Sequence, residues 1–137
     1  MGLFDNLFRK AAMGAGDDAK RLSPAEEDLR AQLEAIASDD ETASSPLRYR
    51  LHWTGTVQGV GFRWTNQGLA RERKLTGWVR NNDDGSVDME IQGAPGRLYT
   101  HLKALHANYV RMATRIWLDE AVALPLIDDG DTFDVRY

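Results

Sequence analysis

Residues 48–63 read RYRLHWTGTVQGVGFR, and this stretch passes from a strand pattern through a glycine-containing loop into a helix pattern. Its apolar residues Tyr49, Leu51 and Trp53 alternate with polar ones, which is typical of a strand with one buried face. Glycine in the following loop accepts positive φ and adds no side chain to block a ligand from the backbone. We therefore expect a strand, a loop open to close approach, and a helix over residues 63–74.

The residues after this stretch continue to alternate between strand and helix periods. The predicted elements are a strand at 76–81, a hairpin turn at 83–85, a strand at 87–91, a helix beginning at Pro95, and strand patterns at 110–118 and 133–137. The order β-α-β-β-α-β, with a second strand pattern near the end, predicts a ferredoxin-like α+β sandwich. In that fold an antiparallel sheet carries two helices on one face. Residues 117–132 are expected to be long and loop-like, which leaves the pairing of the last strand open.

The chain divides by composition into two parts. Residues 1–46 hold five Lys/Arg against ten Asp/Glu, whereas residues 47–137 are almost balanced, and the whole chain carries a net charge of −4. The polar run SDDETASSP ends the first part and predicts a linker. A helix is expected near 24–37, because Ser23 can cap it and Glu26 can complete a capping box. We predict a partly disordered N-terminal extension over 1–46 and a compact domain over 47–137.

The first residues of the chain carry an apolar stripe beside two basic residues. The stripe consists of Leu3, Phe4, Leu7 and Phe8, followed by Arg9 and Lys10. Such a stripe can contact a membrane or a partner, but it more often packs on its own domain or stays disordered, and we predict that residues 1–20 are mobile. No apolar run approaches the roughly 20 residues of a membrane-spanning helix, and no secretory signal is recognisable. We expect a cytoplasmic protein without stable membrane insertion.

Composition excludes several kinds of chemistry. The chain has no cysteine, so disulfides, thiolate catalysis and cysteine-based metal sites are excluded. His101 and His106 are five residues apart and do not share a helical face, so a metal pair is not expected. The acidic run over 128–131 lacks the calcium-loop pattern and is interpreted as a solvated loop. Neither part of the chain is basic enough to predict a nucleic-acid binder.

The loop at residues 55–63 has the chemistry of an anion site. Its backbone N–H groups and the N-terminus of the helix that follows can both face a negative charge, and Arg63 supplies a planar fork for two phosphate oxygens. No Gly-Lys-Ser/Thr follows, so it is not a nucleotide-binding P-loop. Loops of this kind are more often simple turns, and this loop alone is a weak signal.

A second segment makes the signal specific. VQGVGFR at 57–63 and GWVRN at 77–81, in this order, resemble the VQGVxFR and GWVxN motifs of the acylphosphatase family, and the resemblance extends from residue 48 to about 110. It implies hydrolysis of the carboxyl–phosphate bond of small acyl phosphates, to carboxylate and phosphate, by a monomer without a metal or other cofactor. It also implies that Asn81 positions the attacking water. The phosphoryl group would be bound by Arg63 and by the backbone amides of Gln58, Gly59, Val60, Gly61 and Phe62.

The residue types fit these roles. An asparagine side chain holds both a donor and an acceptor, so it can orient a water molecule without titrating. Neither motif contains an obvious general base, which suits an activated anhydride with a good carboxylate leaving group. Trp64 has two readings, as a contact for the acyl group at the pocket mouth or as a surface or core residue. Lys74 stands where the family often has glycine, so the turn before Leu75 is expected to be strained or differently shaped.

Two other functions remain as alternatives. Similar domains occur fused to carbamoyl-transfer enzymes of hydrogenase maturation, so the chain could be a non-catalytic phosphate-binding or accessory module. RNA-recognition modules share the βαββαβ order, but they need exposed aromatic residues on the sheet. The corresponding strand reads SVDMEIQG, which has two acids and no aromatic residue. We therefore expect no nucleic-acid partner.

Overall fold

The computed structural model describes residues 18–128 and 130–137. Its helices are α1 (Pro24–Ala37), α2 (Phe62–Glu72) and α3 (Pro95–Arg111), and its strands are β1 (Leu47–Gly55), β2 (Thr76–Asn81), β3 (Val87–Gly93), β4 (Ile116–Leu124) and β5 (Phe133–Arg136). The apolar stripe of the first residues lies outside the described residues, as do Asp129 and most of the segment predicted to be mobile.

The strands form one five-stranded sheet in the order β4-β1-β3-β2-β5. The ferredoxin-like α+β class is confirmed, but the expectation of a wholly antiparallel sheet is wrong for one pair, because β5 runs parallel to β2. All other neighbours are antiparallel. The chain reverses direction between β4 and β5, and β5 therefore runs in the same direction as β1 and β2.

The core lies between one face of the sheet and the helices. Three aromatic rings join β1, α2 and α3, since the ring of Phe62 lies 5.5 Å from that of Trp53 and 5.6 Å from that of Tyr109. The alternation predicted for β1 is confirmed, because Tyr49, Leu51 and Trp53 are all buried. This packing fixes the start of α2 against the end of β1, where the glycine loop lies.

Helix α1 has the predicted bounds and packs on the same core, where Leu29 and Leu33 are buried. Ser23 caps it, and its hydroxyl accepts a hydrogen bond of 3.0 Å from the backbone N–H of Glu26. The other half of the predicted capping box is not formed, because the Glu26 carboxylate accepts hydrogen bonds from Arg30 instead. Burial raises the pKa of Glu26, and Arg30 opposes that shift.

Two expectations for the second half of the chain are wrong. The alternation at residues 110–114 does not form a strand, because α3 continues to Arg111 and β4 begins at Ile116. Tyr109 is buried and extends the apolar stripe of α3, which favours the helix over the strand. Strand β4 also occupies residues to Leu124 that were expected to be loop, and it pairs with β1 along its length.

The turn after α2 contains the expected strain. Lys74 adopts φ 54, in the left-handed region, and the backbone N–H of Leu75 closes the turn on the carbonyl of Ala70 at 2.9 Å. Left-handed backbone in a residue with a Cβ costs about 1–2 kcal/mol, and glycine removes most of that strain.

Lys74→Gly should therefore raise the free energy of unfolding by about 1 kcal/mol, less than the full strain because glycine also gains entropy in the unfolded chain. Urea unfolding of both proteins measures the difference. Lys74→Ala is the matched control, because it removes the amine but keeps the Cβ and should bring no comparable gain. Equal stabilisation by both variants would show that the lysine side chain, and not its backbone conformation, is responsible.

Candidate active site

The loop between β1 and α2 turns on two glycines in the left-handed region. Gly59 has φ 76 and Gly61 has φ 71, and a Cβ at either position would meet no atom within 4 Å. The backbone conformation, and not lack of space, therefore requires glycine at these two positions. The open space beside them is the space that a ligand needs to approach the backbone.

The loop presents backbone donors that the chain itself does not use. Among the described residues, no oxygen accepts a hydrogen bond from the N–H groups of residues 58–61. Gly61 is the N-cap of α2 and provides no side-chain cap. Loop and helix start together form a concentration of unpaired N–H groups at the positive end of the helix dipole, and this arrangement favours an anion.

Two side-chain contacts with distant parts of the sequence hold this loop. Gln58 donates from Nε2 to the carbonyl oxygens of Asn82, at 2.7 Å, and Ser86, at 2.9 Å, which fixes the loop to the β2–β3 hairpin. Tyr109 of α3 donates its hydroxyl to the carbonyl of Val60 at 3.0 Å. Neither role was predicted from the sequence, and no local pattern signals them, since they depend on contacts across the fold.

Arg63 lies in the first turn of α2 and reaches the last strand. Its Nη1 donates to the carbonyl of Arg136 at 3.0 Å. The ring centroid of Tyr137 lies 4.8 Å from the guanidinium carbon. The end of β5 therefore restricts where the guanidinium can lie, while leaving donors free for a ligand.

Asn81 ends β2 and lines a pocket of about 220 Å³ together with residues of the loop. Its side-chain Oδ1 is buried and accepts no hydrogen bond from the described residues. The pocket is lined by Val57, Gln58, Gly59, Gly61, Phe62, Arg63, Trp64 and Asn81. The structure thus brings the two motif segments to one pocket. Val60 is the one predicted loop residue that does not line it, and its side chain packs against the core.

The pocket has the chemistry of anion binding without a titrating group. None of its lining residues is Asp, Glu or His, so within this part of the structure nothing offers a general base. In residues 18–128 and 130–137 no cluster of His, Asp and Glu could hold a metal ion. No helix within the same ranges is long and apolar enough to cross a membrane. The pocket can bind a negatively charged group, hold the Asn81 amide beside it, and shield one side of a ligand from solvent.

A wider cleft of about 690 Å³ lies away from both motifs, where the segment after α1 meets the start of α3. It is shallow, and its lining includes Glu72 as well as Arg73, Lys74 and Arg97, so its charges partly cancel. The smaller pocket is the better candidate because it combines unpaired backbone donors, a guanidinium and an unpaired buried acceptor.

The fold and the pocket together define a small α+β protein whose glycine loop presents unpaired N–H groups at the start of a helix. Residues 49–119 match the acylphosphatase family model, and the chain belongs to the acylphosphatase family.

Named relatives agree with this assignment. An acylphosphatase of Geobacillus kaustophilus is 55% identical over 53 residues, which cover 39% of this chain and 56% of that protein. An acylphosphatase of Oceanobacillus iheyensis is 39% identical over 83 residues, which cover 61% of this chain and 90% of that protein. The chain thus spans little more than half the length of the relative with the higher identity. The crystal structure of acylphosphatase from Bacillus subtilis superposes with a TM-score of 0.54 at 32% identity, over 66% of this chain and 99% of that one.

Proposed function

We propose that this chain is an acylphosphatase that hydrolyses the carboxyl–phosphate bond of small acyl phosphates. The observation that carries the proposal is the single pocket lined by the glycine loop, Arg63 and Asn81. It combines a place for a phosphoryl group with an amide that lines the same pocket. Family membership supports the same reaction.

In the proposed mechanism the phosphoryl group sits on the backbone N–H groups of residues 58–62, and Arg63 binds two of its oxygens. Water attacks phosphorus as the bond from phosphorus to the acyl oxygen breaks, so an acyl phosphate dianion and water give a carboxylate and dihydrogen phosphate. Charge spreads over the phosphoryl oxygens in the transition state. Donors that are already in position stabilise that charge without reorganisation.

Asn81 is proposed to orient the attacking water. The unpaired Oδ1 acceptor supports this role, because a polar group that reaches the amide would satisfy it. Asparagine does not titrate, so it contributes by positioning and not by removing a proton. A carboxylate is a good leaving group, and positioning with charge stabilisation is sufficient for it.

We infer three further properties of this enzyme. The enzyme needs no metal or other cofactor, since an uncharged amide and a guanidinium carry the two roles. It works as a monomer, because both motifs come from one chain. It works in the cytoplasm, where small acyl phosphates are expected as substrates.

Arg63→Ala should lower the turnover of a synthetic aryl acyl phosphate on the order of 100-fold or more, because it removes a charge stabiliser of the transition state. Asn81→Ala should lower turnover as well, through loss of the positioned water. The assay is run with EDTA, and circular dichroism checks that each variant is folded. Arg71→Ala and Asn108→Ala are matched controls, since Arg71 is exposed, Asn108 is half-buried, and neither lines the pocket.

The outcomes separate the alternatives. Metal-free turnover by the wild type, with loss in both pocket variants and not in the controls, supports the enzyme and both roles. A folded wild type without activity would favour a phosphate-binding or accessory module of a carbamoyl-transfer system. An active Arg63→Ala variant would refute the role of Arg63, and activity that EDTA abolishes would refute metal independence.

A further inference from the structure

Trp64 is an exposed aromatic residue at the mouth of the candidate pocket. Its exposed fraction is 58%, whereas Trp53 is fully buried, Trp78 is 8% exposed and Trp117 is partly buried. Within the described residues no other ring and no cation contacts its indole. Core filling is therefore excluded, and no contact with another ring or with a cation in the described part of the chain explains the presence of the indole on the surface.

The helix geometry directs this indole toward the loop. Trp64 lies in the first turn of α2, and long side chains in helices lean toward the N-terminus of their helix. The residues N-terminal to it are those of the glycine loop, and Trp64 lines the same pocket as Gly59 and Gly61. Exposed apolar surface beside a pocket is typical of a ligand contact.

The position of the phosphoryl group determines where the rest of a substrate lies. If the loop and Arg63 hold the phosphoryl end, the acyl group extends away from them toward the rest of the pocket lining. Trp64 is the exposed aromatic residue of that lining, and its indole offers a flat apolar face to the acyl group. The ring of Tyr137, which packs on Arg63, does not line the pocket.

We propose that Trp64 binds the acyl group and makes this protein selective for acyl phosphates with an aromatic acyl group. The proposal rests on the proposed function and adds its substrate class. An aromatic acyl group can stack on the indole or meet its edge, whereas an acetyl group is too small to cover it. The phosphoryl contacts are the same for both, so the discrimination comes from the acyl side alone.

The test compares the ratio of kcat/KM for benzoyl phosphate to kcat/KM for acetyl phosphate in the wild type and three variants. Comparing ratios cancels the difference in intrinsic reactivity between the two substrates. Trp64→Ala should lower the ratio about fivefold to tenfold. Trp64→Phe keeps a ring and should lower it much less. Leu126→Ala removes exposed apolar surface outside the pocket and should leave the ratio as in the wild type.

The outcomes distinguish failure of this inference from failure of the proposed function on which it rests. If the wild type hydrolyses neither substrate, the proposed function is refuted, and the contact between Trp64 and the acyl group is refuted with it. A wild type that hydrolyses both, with the same ratio in Trp64→Ala, overturns the acyl contact alone. Equal losses on both substrates would overturn it too, because they would assign Trp64 to the phosphoryl end or to the fold.

Discussion

Replacing Gly77 by alanine is expected to destabilise the protein by about 4 kcal/mol, because the new Cβ overlaps a neighbouring strand. Gly77 has φ 138, and a Cβ there would run into the carbonyl oxygen of Glu90 on β3. The obstacle is backbone in the middle of a paired sheet, so it cannot move aside as a side chain can. Gly77 also donates its N–H to the carbonyl of Thr132 at 3.0 Å, so a shift of β2 would disturb the approach to β5 as well.

Urea unfolding measures this effect, with Gly68→Ala as the matched control. Gly68 lies in α2, and a Cβ there would meet no atom within 4 Å, so alanine should stabilise the protein by up to about 1 kcal/mol through helix propensity. Opposite signs for the two glycine-to-alanine changes are the expected result. If Gly77→Ala lowers the free energy of unfolding by less than about 1 kcal/mol, the predicted overlap of its Cβ with strand β3 is contradicted.

The stability of the protein is expected to fall as the pH drops below the ordinary pKa of histidine, because His101 stays neutral in the folded state. His101 is buried, and its Nε2 lies 2.9 Å from Oδ1 of Asn66. The Asn66 amide donates to the carbonyl of Phe62, which leaves its oxygen facing the imidazole. Nε2 must therefore carry the proton, and Nδ1 is buried without a partner among the described residues. Burial, with Arg73 adding to it, lowers the pKa of His101 from 6.5 to about 3.

The sign of the pH effect follows from this lowered pKa. Above pH 6.5 the imidazole is neutral in both the folded and the unfolded state, so it does not make the stability depend on pH. Below it the unfolded state takes up a proton that the folded state refuses, so stability falls by about 1.4 kcal/mol per pH unit until the pH nears the folded pKa. By pH 4.5 this amounts to about 2.7 kcal/mol.

His101→Gln tests this assignment, because glutamine can still donate to Asn66 but does not titrate. Unfolding measured at pH 7, 5.5 and 4.5 should show a shallower loss in the variant than in the wild type. His106→Gln is the control, since that imidazole is less buried and its lowered pKa should contribute less. If the free energy of unfolding depends on pH identically in the wild type and in His101→Gln, His101 is not the cause of the pH effect.

Local periodicity predicted most of the elements. The bounds of β2 agree with the prediction, and α2 begins one residue and ends two residues from where the pattern placed it. The errors occurred where one pattern fits two structures. Val110 and Met112 alternate as in a strand, but the buried Tyr109 continues the helical stripe, and only packing against the core shows which period applies.

The fold class and the family could be predicted from the sequence, because strand and helix periods and the two motifs are local patterns. It also indicated the strain at Lys74, where a glycine is missing from its usual place. The role of each motif residue in catalysis remains a prediction that the pocket geometry supports.

Contacts between residues far apart in the sequence could be found only in the folded protein. Only the packed sheet places Glu90 behind Gly77. The carbonyl of Arg136 lies within hydrogen-bond distance of Arg63 only because β5 pairs with β2. Sequence cannot reveal such contacts, because they depend on how the chain is folded. Whether a residue is buried, where its carbonyl points and whether its N–H is paired are not properties of the residue type.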